Sequence, residues 1–265
     1  MNRNAPIGIF DSGMGGLSVW RELRAQLPHE SVVYLADGKN CPYGDRSPEE
    51  IAALTREAVE VLLAHGAKLI IVACNTATAM AIDFLREHYD IPFVGMEPAV
   101  KPAALATKSG TIGILATRAA LAGGLFKATS HKYASVARIL SAVGEGFVEA
   151  VEEGREGEPA TVELVRAALE PMLREGADQI VLGCTHYPFL EAPLREVIGE
   201  REVTLVNPAP AVARRAKWLL EEADMLAEEG HKAECRFLTF ADEDYRHRVE
   251  QKALEIAPKL EDKID

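Results

Sequence analysis

The sequence is short of the features that would place it in a membrane, on nucleic acid or at a structural metal. No apolar stretch approaches the ~18 residues that a spanning helix needs. The opening MNRNAPIGIFDSGMGG holds no secretory apolar core, because Asp11 interrupts the first apolar run. Positive charge is scarce: 29 Lys and Arg stand against 41 Asp and Glu, a net charge of −12. A phosphate backbone or an anionic lipid surface is therefore a poor partner. A small anion remains admissible, since backbone N–H groups and hydroxyls can receive it locally. The four cysteines, at 41, 74, 184 and 235, form no CxxC or zinc-type pairing, which leaves reduced thiols in a cytoplasmic protein as the expectation. Both nucleotide fingerprints are incomplete. GxxxxGK[ST] is missing, and Ser18 stands where GxGxxG needs its last glycine.

What is present is a long alternation of strand and helix signals. PIGIF (6–10) reads as a strand running into a glycine-rich turn, and GLSVWRELRAQL (16–27) carries Leu17, Trp20, Leu23 and Leu27 at helical spacing. SVVYLAD (31–37) is a second strand. Ser47-Pro48-Glu49-Glu50 is a capping box with proline at the first helical position. A helix to about Ala64, the strand KLIIVAC, a helix after Asn75 and the strand IPFVG (91–95) follow. The pattern then restarts with GTIGILAT (110–117), a helical stretch at ASVARIL (134–140) and a helix from about Pro159 to Glu175. DQIVLGC (178–184), a further helix and VTLVN (203–207) complete this second series. A helix from PAPAVARRAKWLLEEA, a strand CRFLTF (235–240) and an amphipathic, solvated tail helix end the chain. Such alternation predicts α/β architecture with largely parallel sheets, and 265 residues suffice for two units.

The two series resemble each other. HGAKLIIVACNT (65–76) and EGADQIVLGCTH (175–186) share Gly-Ala, an aliphatic strand and a cysteine, with Cys184 following Cys74 by 110 positions. The expectation is two similar doubly wound α/β lobes related by a pseudo-two-fold. Each delivers one cysteine to the carboxyl end of a strand, where open α/β sheets bind ligands.

A single buried cysteine is commonly inert packing. Two at matched strand ends, each followed by hydroxyl, amide or imidazole side chains, are poorly explained that way. A helix N-terminus at that point would also lower a thiol pKa from about 8.5 toward neutrality. A structural disulfide does not suit the compartment, and zinc would find only two cysteines and His186. The chemistry that needs two alike acid–base groups on opposite faces of one carbon is racemisation. One thiolate removes the α-proton and the opposite thiol reprotonates the carbanion.

IGIFDSGMGGLSV, PYG, ACNTATA, EPAVKPAA and GCTHYP together resemble the glutamate racemases of the aspartate/glutamate racemase family, over about residues 6–210. The resemblance implies lobes at 1–98 and 99–207, with 208–265 returning to the first, and the active site in the cleft between them. It implies a homodimer that needs no cofactor and no metal and supplies D-glutamate for peptidoglycan. Cys74 would be the base for D-glutamate and Cys184 the base for L-glutamate. Asp11 would assist Cys74 and contact substrate, and Ser12 would bind substrate. Pro42, Tyr43 and Gly44 would meet its carboxylates through backbone groups. Asn75, Thr76, Thr117 and Thr185 are either helix caps or ligand donors, two compatible roles. His186 would support Cys184 and bind substrate. Glu152 matches an active-site glutamate, with Glu153 one position away. DGKNC (37–41) departs from the family pattern, which weakens Asp37 and leaves Cys41 as a bystander; Cys235 reads as core. An aspartate racemase is the nearest alternative. A two-lobed binding protein would have no use for matched thiols, and a decarboxylase of this kind would carry only one.

Overall fold

The computed structural model describes residues 2–257. Its nine strands are β1 (Ile7–Asp11), β2 (Val32–Ala36), β3 (Leu69–Val72), β4 (Phe93–Gly95), β5 (Thr111–Ala116), β6 (Arg138–Val143), β7 (Gln179–Gly183), β8 (Thr204–Val206) and β9 (Cys235–Thr239). They form two sheets, ordered β4-β3-β1-β2-β9 and β6-β5-β7-β8. Every pairing is parallel, so each connection crosses over a face through a helix. Read from the other edge, the second sheet runs β8-β7-β5-β6, so β3 corresponds to β7 and β1 to β5. That is the architectural counterpart of the sequence repeat.

The central strands are buried on both faces, as β1, β3 and β7 show along their whole length. Unbroken aliphatic runs such as LIIV are what that environment selects. The expected capping box is formed: Ser47 Oγ accepts from the Glu50 N–H, and Glu50 Oε2 accepts from the Ser47 N–H, each at 3.2 Å. The C-terminal strand β9 pairs with β2 from Val32↔Cys235 to Ala36↔Thr239, and Phe237 packs on Trp20 with ring centroids 5.9 Å apart. The helix Glu243–Ile256 ends the described chain. The final eight residues of the tail, 258–265, lie outside the described residues. Among the described residues, no helix is long and apolar enough to cross a membrane.

One expectation is corrected. The stretch 134–140 is not helical: the helix Gly124–Tyr133 stops and Arg138–Val143 becomes the edge strand β6. Val136, Ile139 and Leu140 have helical spacing, but the open side of β5 takes up residues 138–143 in parallel register, and tertiary pairing overrides a short local pattern. Cys235, read as core, is half-buried on an edge strand and packs against the main core.

Candidate active site

Each half of the site is built by a strand ending in a turn. β3 runs through Ala73 to Cys74, which is the N-cap of the helix Asn75–His88, its Sγ accepting from the Ala77 N–H at 3.4 Å. β7 delivers Cys184, followed by a single 3-10 turn, Tyr187–Leu190, before the helix Glu191–Ile198. β5 ends at Ala116, and the next residue, Thr117, caps the helix Arg118–Ala122, its Oγ1 accepting from the Ala120 N–H at 3.2 Å. β1 ends at Asp11 and opens into Ser12 and the glycine loop.

The carboxyl ends of the two sheets face each other and are joined by hydrogen bonds. Thr185 Oγ1 donates to Asp11 Oδ1 at 3.0 Å, Ser18 Oγ donates to the Thr185 carbonyl at 3.0 Å, and the Thr76 and Thr117 hydroxyls pair at 2.9 Å. Between them lies one cavity lined by both Cys74 and Cys184. Ser12, Pro42, Tyr43 and Gly44 line it, as do Asn75, Thr76, Thr117, Thr185 and His186. Val148 adds an apolar wall that sequence reasoning missed. At about 10 Å³ the cavity has room for about one water, too little for an amino acid in this closed arrangement. Asn75 Oδ1 is buried there without a hydrogen-bond partner among the described residues. Wider clefts, beside His65 and His231 and beside Lys108 and Arg201, contain no cysteine.

The helpers of the two thiols differ. Burial, with the Asp11 carboxylate adding to it, pushes the Cys74 thiol up to about 12, against hydrogen bonds from Ser12 and the Ala77 N–H. This corrects the expectation of a thiol near neutrality, because in the closed site desolvation outweighs the helix terminus. Burial also pushes the Asp11 carboxyl up to about 6, opposed by the His186 charge, by the Gly16 and Gly13 N–H groups and by Thr185. Cys184 instead faces an imidazole: His186 Nδ1 lies 3.7 Å from its Sγ, and Nε2 lies 2.6 Å from Glu152 Oε1. Burial disfavours the His186 cation, but hydrogen bonds to Cys184, Cys41 and Glu152 outweigh it and hold the ring well above the usual histidine range. Burial likewise disfavours the Glu152 carboxylate. Its bonds to His186, the Met14 N–H and Tyr245 prevail and keep it below the usual range. The pair is an imidazolium and a carboxylate, with Nδ1–H aimed at Cys184. Glu153 points away and pairs with Arg155 at 2.6 Å.

The glycine loop makes space for these groups. A Cβ on Gly15 would sit 2.6 Å from His186 Cε1, and one on Gly13 would overlap the Glu152 carboxylate. The loop 37–44 is fixed by Asp37, which accepts from Tyr43 Oη at 2.6 Å and from Asn40 Nδ2 at 3.0 Å. Tyr43 is buried in one cluster with Cys74 and lines the cavity.

Cys41 lies beside the His186–Glu152 pair. Its Sγ, a Glu152 oxygen and a His186 ring nitrogen lie within 4.8 Å of one another. Holding a cation there would require a thiolate and a neutral imidazole. Without a cation, burial pushes the Cys41 thiol up to about 12, and hydrogen bonds hold His186 above its usual range.

The Asp/Glu/Hydantoin racemase family model matches residues 14–216. A glutamate racemase of Herpetosiphon aurantiacus is 46% identical over 249 residues, 94% of this chain and 98% of that protein. The crystal structure of a glutamate racemase isoform from Bacillus anthracis superposes with a TM-score of 0.87 at 32% identity, covering 96% of this chain and 95% of that one. Escherichia coli glutamate racemase, solved with L-glutamate and the activator UDP-MurNAc-Ala, gives a TM-score of 0.84 at 33% identity, with 95% of each chain covered.

Proposed function

The chain belongs to the Asp/Glu/Hydantoin racemase family, and from that premise we propose that it interconverts L- and D-glutamate by proton transfer between two cysteines without a cofactor. The observation that carries this is the placement of Cys74 and Cys184 at matched strand ends of opposite lobes, both lining one cavity. Cys184, facing the His186 imidazolium, removes the α-proton of L-glutamate as a thiolate, and the Cys74 thiol protonates the opposite face. D-glutamate reverses the roles. Asp11 is the acceptor for the Cys74 proton. Burial pushes both groups up, the thiol further than the carboxyl, a gap that opposes this transfer in the closed empty site. The substrate ammonium is the cation that narrows the gap, so the thiolate forms only with substrate bound. Hydroxyls and N–H groups of Ser12, Asn75, Thr76, Thr117 and Thr185, with the Tyr43–Gly44 backbone, receive the carboxylates. The same reading makes the protein a cytoplasmic homodimer that supplies D-glutamate for peptidoglycan.

L-glutamate in D₂O with purified enzyme tests the reaction: the α-proton exchanges as optical rotation decays to zero. A binding protein gives no exchange. Activity persists in EDTA and without a pyridoxal absorption band; loss on chelation that zinc restores would overturn the cofactor-free reading. Glutamate gives a higher kcat/KM than aspartate, and equal or reversed preference would move the substrate to aspartate. The pH profile of kcat/KM is bell-shaped, because each direction needs one thiolate and one thiol. Its acid limb falls below about pH 6 as Asp11 becomes protonated and can no longer accept the Cys74 proton. The limbs belong to the coupled site rather than to single residues. A flat profile from pH 5 to strongly alkaline values would contradict this.

A further inference from the structure

We propose that Tyr245, on the C-terminal helix, is a positioning residue for the Cys184 half of the reaction. The proposal rests on the reading of Cys184 as the base on the L face. Tyr245 is buried, and its N–H is fixed by the N-cap Asp242, whose Oδ1 accepts from it at 2.9 Å. Its ring fills the space above Gly38, where a Cβ would come within 2.6 Å of Tyr245 Cδ1. Held in this way, Tyr245 Oη donates to Glu152 Oε2 at 2.8 Å, across 93 residues of sequence. One turn further along the same face, Arg248 Nη1 donates to the Glu152 backbone carbonyl at 2.7 Å, and Lys252 Nζ pairs with Glu156 at 2.7 Å. The helix therefore grips the segment 152–156 through three successive turns.

The division of labour on the Glu152 carboxylate gives the hydroxyl its importance. Oε1 accepts from the Met14 N–H at 2.8 Å and faces His186 Nε2 at 2.6 Å. Among the described residues Oε2 has one hydrogen-bond partner, Tyr245. Removing that hydroxyl leaves a charged oxygen without its donor in a partly buried site, which favours protonation of Glu152 and frees the carboxylate to rotate. His186 then loses the anion that holds it charged and oriented, and Nδ1–H no longer stabilises the Cys184 thiolate. Cys74 is served by Asp11 and Ser12; the His186 charge acts on Asp11 through space, while the Asp11 carboxylate stays held by the Thr185 hydroxyl and the Gly13 N–H.

Racemisation cannot reveal the asymmetry. L- and D-glutamate have equal free energies, so kcat/KM is the same in both directions for any variant. An irreversible reaction can. In L-3-chloroglutamate the Cys184 thiolate takes the α-proton, the C–H electrons form the α,β double bond, and chloride leaves with its bonding pair. The enamine hydrolyses to 2-oxoglutarate and ammonia, and the thiol returns its proton to solvent. The D enantiomer uses Cys74 in the same way. In Tyr245→Phe, elimination from the L enantiomer falls by about tenfold, while elimination from the D enantiomer stays within about twofold. Equal losses on both enantiomers, or no loss on either, overturn the proposal. Arg248→Met, which removes the bond to the Glu152 carbonyl and the guanidinium that lies 5.0 Å over the Tyr245 ring, is the second variant should Tyr245→Phe not fold, and it must show the same enantiomer bias. Cys184→Ala in the same assay tests the underlying reading separately. If it abolishes L elimination while Tyr245→Phe leaves it intact, the positioning role fails and the assignment of the thiols stands. If Cys184→Ala spares L elimination, that assignment fails and the proposal with it.

Discussion

Cys74→Ala and Cys184→Ala each lower racemisation by about 10³-fold or more, and for stereochemically opposite reasons. Without Cys74, Cys184 still removes the proton of the L enantiomer, but nothing on the far face protonates the carbanion. Without Cys184 the defect is the mirror image. 3-Chloroglutamate bypasses reprotonation because its carbanion collapses by loss of chloride. Cys74→Ala therefore eliminates from the L enantiomer only, and Cys184→Ala from the D enantiomer only. The two variants differ in a second respect. Cys74 Sγ accepts from the Ala77 N–H and caps a helix, so Cys74→Ala also loses about 1 kcal/mol of cap stability. Cys184 caps no helix. Serine at either position is a poorer test, since its hydroxyl could act weakly in place of the thiol. Circular dichroism must show native structure in both alanine variants. Racemisation at the wild-type rate in either, or elimination by both from the same enantiomer, would refute opposed thiols.

The features legible in the sequence are those written in short local patterns. LIIVAC and QIVLGC are buried central strands because aliphatic runs suit a sheet covered on both faces. The Ser47 capping box formed because all its parts lie within four residues. What escaped depends on partners far along the chain. Edge strand β6 exists because β5 offers it an open side. Cys41 meets His186 only when the loop 37–44 is laid across the cleft. Tyr245 had no local signal at all, since its proposed role is a contact with Glu152, 93 residues away in sequence. The Cys74 thiol was expected near neutrality from its place at a helix start. Yet the closing of the second lobe over that start removes the water on which the expectation depended.

The glycine loop gives the second large effect, and it arises from space rather than backbone conformation. Gly15 has no positive φ, so alanine fits its backbone. The added Cβ, however, would lie 2.6 Å from Cε1 and 2.7 Å from Cγ of the buried His186 ring. The ring cannot retreat freely, because Nε2 is tied to Glu152 and Nδ1 faces Cys184. Gly15→Ala therefore displaces His186 by a fraction of an ångström to about 1 Å. Misplacement of that size costs about 10²-fold in kcat/KM, together with about 1–3 kcal/mol of overpacking strain. The loss falls on Cys184, so chloride elimination from the L enantiomer drops while elimination from the D enantiomer is largely kept. Gly124→Ala is the matched control: its Cβ would meet nothing within 4 Å, and Gly124 opens the helix Gly124–Tyr133. There alanine leaves activity unchanged and raises stability by about 0.5–1 kcal/mol through the unfolded chain. Denaturant midpoints and kcat/KM for both variants decide the matter. A Gly15→Ala enzyme with wild-type turnover would show that DSGMGG is an ordinary tight turn and that His186 does not need the space it occupies.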